Sequence, residues 1–130
     1  MKVVVDTSII LDFFDGVIEN PYKIIQPYRI LAVSPVVLHE VLRAYSSDVQ
    51  VSIADHLMNE LLPPPTLGNW IESASVMREL YPKREKQNVA RMQNDVLIAL
   101  SARDLQAPIW TRDGDFELIC KHLGVGLLNK

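Results

Sequence analysis

The chain has 130 residues, 48% of them hydrophobic, and a formal net charge of −3 at pH 7. This size predicts one domain with a substantial core, and the acidic balance excludes a nucleic-acid binder that relies on basic charge alone. No segment reaches the roughly 20 apolar residues of a membrane span, and the run after Met1 is too short for a signal-peptide core.

The first third of the chain predicts two strands separated by helices. Residues 2–5, KVVV, are continuous and β-branched, which is typical of a buried parallel strand, and the strand ends at Asp6. TSIILDFFDG then predicts a short helix closed by Gly16. We expect a second short helix within residues 20–27 and a second strand at residues 29–33.

The middle of the chain predicts three helices. The first, in PVVLHEVLRAYS, begins with Ser34 as its cap. In the second, apolar residues recur at helical spacing from about 48 to 62, until the triple proline at 63–65. The third, in LGNWIESASVMRELYP, is ended by Pro82, and the polar segment 83–93 is expected to link it onward.

The last third predicts a helix in NDVLIALSARDLQA with Asn94 as its cap, a strand in PIWT, a helix up to Gly124 and a final short strand in VGLLN. We expect Trp70 and Trp110 to be core residues. Cys120, as the only cysteine, cannot form an internal disulfide; we expect it to be a packed apolar residue in a cytoplasmic protein.

This order of elements predicts the fold class. Strands that alternate with helices indicate an α/β fold, a three-layer α/β/α sandwich with a short, mostly parallel central sheet. Residues 1–130 are expected to form one domain, since no repeat or low-complexity linker interrupts the pattern. In such folds, ligands bind beyond the carboxyl ends of the strands.

Four acidic residues lie where such a site would form. Asp6 directly follows the first strand, and Asp113 follows IWT at one residue's distance. Asp95 and Glu40 continue the apolar faces of their helices. A carboxylate on a buried face is costly unless it is paired or bound to a metal, so these positions indicate a shared function.

Each acid also has a purely structural explanation. Asp6 would cap the first helix, and Asp95 would interact with the dipole of a helix N-terminus. Glu40 would pair with Arg43, and Asp113 would form a turn. These explanations stay open for each acid taken singly, whereas four acids at converging positions are harder to explain in this way.

Clustered carboxylates without histidine or cysteine ligands suit hard cations. Mg²⁺ and Mn²⁺ prefer oxygen ligands, and two such ions can activate water and stabilise the leaving oxygen in phosphodiester hydrolysis. The chain has neither a glycine-rich phosphate loop nor a plausible Ser-His-Asp or Cys-His arrangement. The sequence therefore indicates a metal-dependent nuclease.

Four segments carry a family resemblance. VVVDTSIILDFF has a strand-Asp-Thr/Ser-helix pattern, SPVVLHEVLRA a helical glutamate, NDVLIALSA an Asp-x-x-Ile-Ala helix, and IWTRDGDF a closing strand-Thr-x-Asp-x-Asp-Phe pattern. In this order, along the whole chain, they resemble the motifs of the PIN domain family. In size and layout the chain resembles the VapC-type toxins of prokaryotic toxin–antitoxin pairs. The resemblance implies a PIN-like fold and an endoribonuclease that hydrolyses RNA phosphodiester bonds.

The resemblance also implies site residues. One or two Mg²⁺ or Mn²⁺ ions would be bound by four catalytic acids: Asp6, Glu40, Asp95 and Asp113. Asp115 would be an auxiliary metal ligand or would hold a metal-bound water; it would otherwise cap the helix that follows it. A further set would orient the carboxylates or contact the scissile phosphate: Thr7, Ser8, Thr111 and Arg112.

The partners implied by the resemblance are an RNA substrate, an antitoxin protein and a second copy of the chain in a homodimer. An antitoxin helix would lie in an apolar groove near four residues of the first helix: Ile10, Leu11, Phe13 and Phe14. One cluster of basic residues, here called the basic cluster, consists of Lys83, Arg84, Lys86 and Arg91. It predicts either a solvated linker or a rim that contacts RNA phosphates.

Two other functions stay open. The first is a Mg²⁺-dependent phosphohydrolase or receiver domain, which would need a second acid close to Asp6. In a dehalogenase-type site that acid would be at position 8, but this residue is Ser8. A PIN-like scaffold that binds RNA or protein without catalysis would not need the four acids, and the intact set weighs against it.

Overall fold

The computed structural model describes residues 2–18, 30–83 and 89–128. Four short strands form one parallel sheet: β1 Lys2–Val5, β2 Ile30–Ala32, β3 Ile109–Trp110 and β4 Leu127–Leu128. Their order across the sheet is β2, β1, β3, β4. The predicted α/β fold with a parallel sheet is therefore confirmed.

Six α-helices lie within these described ranges: α1 Thr7–Phe14, α2 Pro35–Arg43, α3 Ser47–Leu57, α4 Leu67–Leu80, α5 Val89–Asp104 and α6 Phe116–Leu123. A 3-10 turn at Met58–Glu60 follows α3, and none of the described helices is long and apolar enough to cross a bilayer. The helix predicted within residues 20–27 lies outside the described residues, as do Arg84 and Lys86 of the basic cluster.

The core is built around β1 and α5. The three valines of β1 are at most 2% exposed, and five consecutive residues of α5, Val96 to Leu100, have no exposed surface. A helix that is apolar on all sides is one enclosed by the rest of the protein. Asp95 directly precedes this buried run, so its position is fixed by the most enclosed helix of the fold.

The start predicted for α5 is wrong. The helix begins at Val89, not after a cap at Asn94, so Asn94 lies inside it. Ala90, Arg91 and the two residues that follow are good helix formers, and they extend the helix upstream despite their polarity. Arg91 consequently lies one helical turn before Asp95, on the same side of the helix.

The core prediction for Trp70 is also wrong, because 46% of this residue is exposed. Helix α4 instead buries Asn69, which exchanges hydrogen bonds with Thr66 in a capping box and donates to Asp104 Oδ2 at 2.9 Å. The predictions for Trp110 and Cys120 are confirmed, since at most 1% of either is exposed. Burial raises the pKa of the Cys120 thiol to about 12.

Several predicted elements are shorter than expected. The helix predicted for 48–62 ends at Leu57, and beyond the 3-10 turn Leu61 forms a parallel bridge with Val33. The strands predicted in RILAV, PIWT and VGLLN keep only two or three residues each. The residues that follow β1 and β3 line the cleft of the candidate site.

Candidate active site

The carboxyl ends of β1 and β3 bring distant parts of the chain together. Val5 and Trp110 are register partners in the parallel sheet, and the Asp6 amide donates to the Trp110 carbonyl at 3.0 Å. Asp6 and Thr111 therefore leave the sheet side by side. One open cleft is lined by seven of the nine residues singled out in the sequence: Asp6, Thr7, Ser8, Glu40, Asp95, Arg112 and Asp113. Thr111 adjoins it through a hydrogen bond to Asp6, and Asp115 lines a neighbouring cavity.

Asp6 is held by two hydroxyl groups. Its Oδ2 atom accepts a hydrogen bond from Ser8 Oγ at 3.0 Å and another from Thr111 Oγ1 at 2.8 Å, and only 4% of the residue is exposed. Asp6 occupies the N-cap position of α1, but its side chain forms no capping bond, so the capping explanation for this carboxylate is wrong. Its buried oxygen is oriented toward the cleft rather than toward the helix end.

Glu40 is connected to Thr7, the residue that follows Asp6. Thr7 Oγ1 donates to Glu40 Oε1 at 2.8 Å, which joins α1 to α2 at the cleft. Glu40 is half-buried, less enclosed than its apolar helix face predicted. Within the described part of the chain it forms no ion pair with Arg43, so the structural explanation by that pair fails.

Asp113 both forms a turn and faces the cleft. Its amide donates to Thr111 Oγ1 at 2.9 Å, and its Oδ1 atom accepts from the Asp115 amide at 3.0 Å. The turn explanation is therefore correct for one carboxylate oxygen, while the other oxygen, Oδ2, lies 3.1 Å from Arg91 Nη2. Asp115 occupies the N-cap position of α6 without a side-chain capping bond, so the capping role considered for it is wrong.

Asp95 carries the strongest electrostatic signature of the site. Only 6% of it is exposed, and its pKa is raised to about 8, first by burial and then by the charges of Asp6, Asp113 and Glu40. Because α5 begins at Val89, Asp95 lies beyond the first turn and outside the reach of the helix dipole that would explain it structurally. Three carboxylates from distant segments thus disfavour the ionised form of Asp95 across the cleft.

The donor set fits a hard divalent cation. Asp95, Asp113 and Asp115 can each offer one oxygen within 4.8 Å of the others. Burial and the neighbouring carboxylates disfavour the ionised form of Asp95, and a bound cation would favour it. All of these donors are carboxylate oxygens, which suit Mg²⁺ or Mn²⁺.

Two arginines at the cleft form ion pairs with carboxylates. Arg112 binds Asp12 with two atoms, through Nε to Oδ2 at 2.6 Å and Nη2 to Oδ1 at 2.7 Å. Arg91 Nη2 lies 3.1 Å from Asp113 Oδ2 and 3.1 Å from Asp115 Oδ2. Arg112 was expected at the site, whereas neither of these pairings was foreseen.

Helical spacing in the sequence could have indicated that Asp12 and Arg91 lie at the cleft. Asp12 lies four residues after Ser8 on α1, so the two side chains share a helix face at the cleft. Arg91 lies four residues before Asp95, but the predicted helix began too late for that relation to be recognised.

Comparisons with known proteins agree with this geometry. A family model described as PIN domain matches residues 3–122. None of the curated proteins compared with the chain matches it significantly.

Several solved structures have similar folds, among them VapBC proteins from three bacteria. VapBC2 from Rickettsia felis, bound to a DNA fragment from its promoter, has a TM-score of 0.71 and 18% identity, over 100% of this chain and 99% of that one. VapBC-1 from nontypeable Haemophilus influenzae has a TM-score of 0.70 and 16% identity, over 99% and 98%. VapBC-5 from Mycobacterium tuberculosis, a toxin–antitoxin system, has a TM-score of 0.63 and 21% identity, also over 99% and 98%.

Proposed function

Because the chain belongs to the PIN domain family, we propose that it is a single-domain endoribonuclease that depends on Mg²⁺ or Mn²⁺ and serves as the toxin of a type II toxin–antitoxin pair. PIN domains are generally nucleases, and the solved structures of similar fold include toxin–antitoxin proteins. Metal dependence, RNA as substrate and the roles of individual residues are the proposal.

The observation that carries the proposal is the raised pKa of Asp95. A structural ion-pair network would lower the pKa of its acids, because each carboxylate would have a cationic partner. Burial and three neighbouring carboxylates instead raise the pKa of Asp95 to about 8, and Arg91 opposes this only as the smallest contribution. An arrangement this unfavourable in the metal-free protein is typical of a functional site.

Four acids would hold the ions: Asp6, Glu40, Asp95 and Asp113. Asp115 would be an auxiliary ligand, since one of its oxygens can approach those of Asp95 and Asp113 within 4.8 Å. Divalent ions bound by such a set supply water activation and stabilisation of the leaving oxygen in phosphodiester hydrolysis.

The remaining site residues would position the acids and the RNA. The hydroxyls of Ser8 and Thr111 restrain one oxygen of Asp6, and the hydroxyl of Thr7 restrains one oxygen of Glu40. Fixed side chains are what a catalytic site needs, because small displacements of the reacting groups cost large factors in rate. Arg112, held by Asp12 but 64% exposed, is placed to contact an RNA phosphate.

An antitoxin would bind beside the catalytic cleft. Ile9, Ile10 and Phe13 of α1 line an apolar cavity together with Leu31 of β2 and Leu57 of α3. An amphipathic helix binds such a groove through residues spaced three and four apart. The toxin–antitoxin relatives of similar fold support this partner, and a homodimer remains a prediction from the family resemblance.

The decisive experiment is metal-dependent cleavage by matched carboxylate variants. We expect the wild-type protein to cleave members of a panel of single-stranded and hairpin RNAs with Mn²⁺ or Mg²⁺ and not with EDTA. Asp6→Asn and Asp95→Asn should each lower the rate at least 100-fold, whereas Asp55→Asn, which removes an exposed charge on α3, should not.

Two results would contradict the proposal. Cleavage at the wild-type rate by pure Asp95→Asn protein would remove the acid cluster from the reaction. RNA binding without any divalent ion, and without cleavage in its presence, would identify a scaffold. Cleavage of DNA but not RNA would keep the metal-dependent site and change the substrate.

A further inference from the structure

Arg91 occupies an unusual place within the acid cluster. A single guanidinium nitrogen, Nη2, lies 3.1 Å from Asp113 Oδ2 and 3.1 Å from Asp115 Oδ2. These two carboxylates, with Asp95, form the group whose oxygens come close enough to share an ion. The guanidinium therefore contacts two members of the predicted ligand set, in the manner of a bound cation.

The arginine also separates two cavities. The cleft that contains Asp6, Glu40 and Arg112 has a volume of about 560 Å³. A second cavity of about 290 Å³ is lined by Tyr81, Met92, Leu118 and neighbouring residues. Arg91 and Asp95 line both cavities, so the bridge from Arg91 to Asp113 and Asp115 lies at their junction.

The position of Arg91 is held only weakly. Its side chain is 60% exposed, as is 61% of Asp115. Exposed ion pairs contribute little and are screened by salt, because water competes for both charges. A divalent ion carries twice the charge and binds several carboxylates at once, so it competes effectively for the same oxygens.

From these contacts we propose that Arg91 is an internal counter-ion of the metal-free enzyme, that a divalent ion displaces it, and that its release joins the two cavities into one RNA-binding groove. This inference rests on the proposed function. In the joined groove a strand could pass from Arg112 across the acids to Tyr81, whose ring offers a stacking surface for a base. The released guanidinium would then be available to an RNA phosphate.

Metal titration without RNA tests the first step. Isothermal titration with Mn²⁺ would compare the wild-type protein with Arg91→Gln and with Arg43→Gln. Arg43 lines the same cleft and forms no ion pair with its acids among the described residues, so this control measures the general effect of removing one positive charge. We expect Arg91→Gln to bind Mn²⁺ about 3- to 10-fold more tightly, because the free energy of two exposed ion pairs corresponds to this change in affinity. The affinity of Arg43→Gln should change less than about twofold.

A stability measurement gives an independent readout. In EDTA the Arg91→Gln variant should unfold at a lower temperature than wild type, because its acids have lost their internal cation. At saturating Mn²⁺ the two midpoints should converge, since the ion has replaced Arg91 in both proteins. Arg43→Gln should show no such convergence.

The possible failures are distinguishable. If the wild-type protein binds Mn²⁺ and Arg91→Gln binds it no more tightly than Arg43→Gln does, the counter-ion role is wrong while the nuclease proposal survives. If none of the three proteins binds Mn²⁺ in the millimolar range, both the proposed function and the inference that rests on it are overturned.

Discussion

Replacing Asp95 with asparagine should stabilise the metal-free protein, and the gain should grow with pH. The carboxyl group has a pKa of about 8 in the folded protein and an ordinary value of 3.8 in the unfolded chain. Between these values the unfolded chain has released the proton that the folded protein still binds. The folded protein therefore loses stability as pH rises from about 4 to about 8, and Asp95→Asn abolishes this loss.

The size of this stability change follows from the pH interval between the two pKa values of Asp95. Each pH unit within it changes the free energy of unfolding by about 1.4 kcal/mol, so the interval from pH 5 to pH 8 amounts to about 4 kcal/mol. This is a large share of the total stability of an ordinary domain. Asparagine keeps nearly the same shape as Asp95 and removes the charge that Asp6, Glu40 and Asp113 repel.

Urea unfolding in EDTA at pH 5, 6.5 and 8 measures the effect. The difference in unfolding free energy between Asp95→Asn and wild type should increase across this range by about 4 kcal/mol. Asp55→Asn, which removes one exposed carboxylate from α3, should run parallel to wild type and controls for net charge.

Saturating Mn²⁺ should reverse the order of stability. The ion binds the ionised carboxylate, so it stabilises wild type strongly and Asp95→Asn weakly. Parallel pH profiles of wild type and Asp95→Asn in EDTA would refute the reasoning, because they would mean that the four carboxylates do not share a confined region. A stability order unchanged by Mn²⁺ would show that the shared region is not a metal site.

Three further predictions concern single positions. Thr111→Val removes a hydroxyl that donates to Asp6 and accepts from a backbone amide, so it should lower the free energy of unfolding by about 1–3 kcal/mol and weaken Mn²⁺ binding in the same titration. Asn69→Ala should cost about 1–2 kcal/mol in urea, because its side chain no longer accepts from the Thr66 amide or donates to Asp104, with RNA cleavage unchanged. Trp110→Ala should cost about 3–5 kcal/mol, whereas Trp70→Gln should cost less than about 1 kcal/mol by the same assay.

The positions of the acids were predictable because they depend on local rules. A carboxylate directly after a buried strand must leave the sheet at its carboxyl edge, and this rule placed Asp6 and Asp113. Helical periodicity placed Asp95 and Glu40 on inward faces, although Glu40 proved only half-buried. The sequence could not predict which hydroxyl donates to which carboxylate, because the contact between Thr111 and Asp6 joins residues 105 positions apart.

The errors arose where tertiary contacts override composition. Trp70 is apolar, and its helix nevertheless turns Asn69 inward, because the amide finds Thr66 and Asp104 as hydrogen-bond partners there. The polar residues before Asn94 suggested a linker, yet good helix-forming propensity carried α5 five residues further upstream. That second error concealed Arg91, which lies one helical turn before Asp95 and pairs with Asp113 and Asp115.

The raised pKa of Asp95 and the ion pairs of Arg91 together explain how a cluster of acids around a buried aspartate remains compatible with folding. Asp95 is fixed by the most enclosed helix, which gives the site precision but makes an ionised carboxylate there unfavourable. Two devices offset this in the metal-free protein: Asp95 retains its proton near neutral pH, and Arg91 pairs with Asp113 and Asp115. Both would be reversed by the divalent ion that we propose, which would release the proton and displace the guanidinium. Metal binding should therefore liberate protons from the protein, and the number liberated should fall when Asp95 is replaced by asparagine.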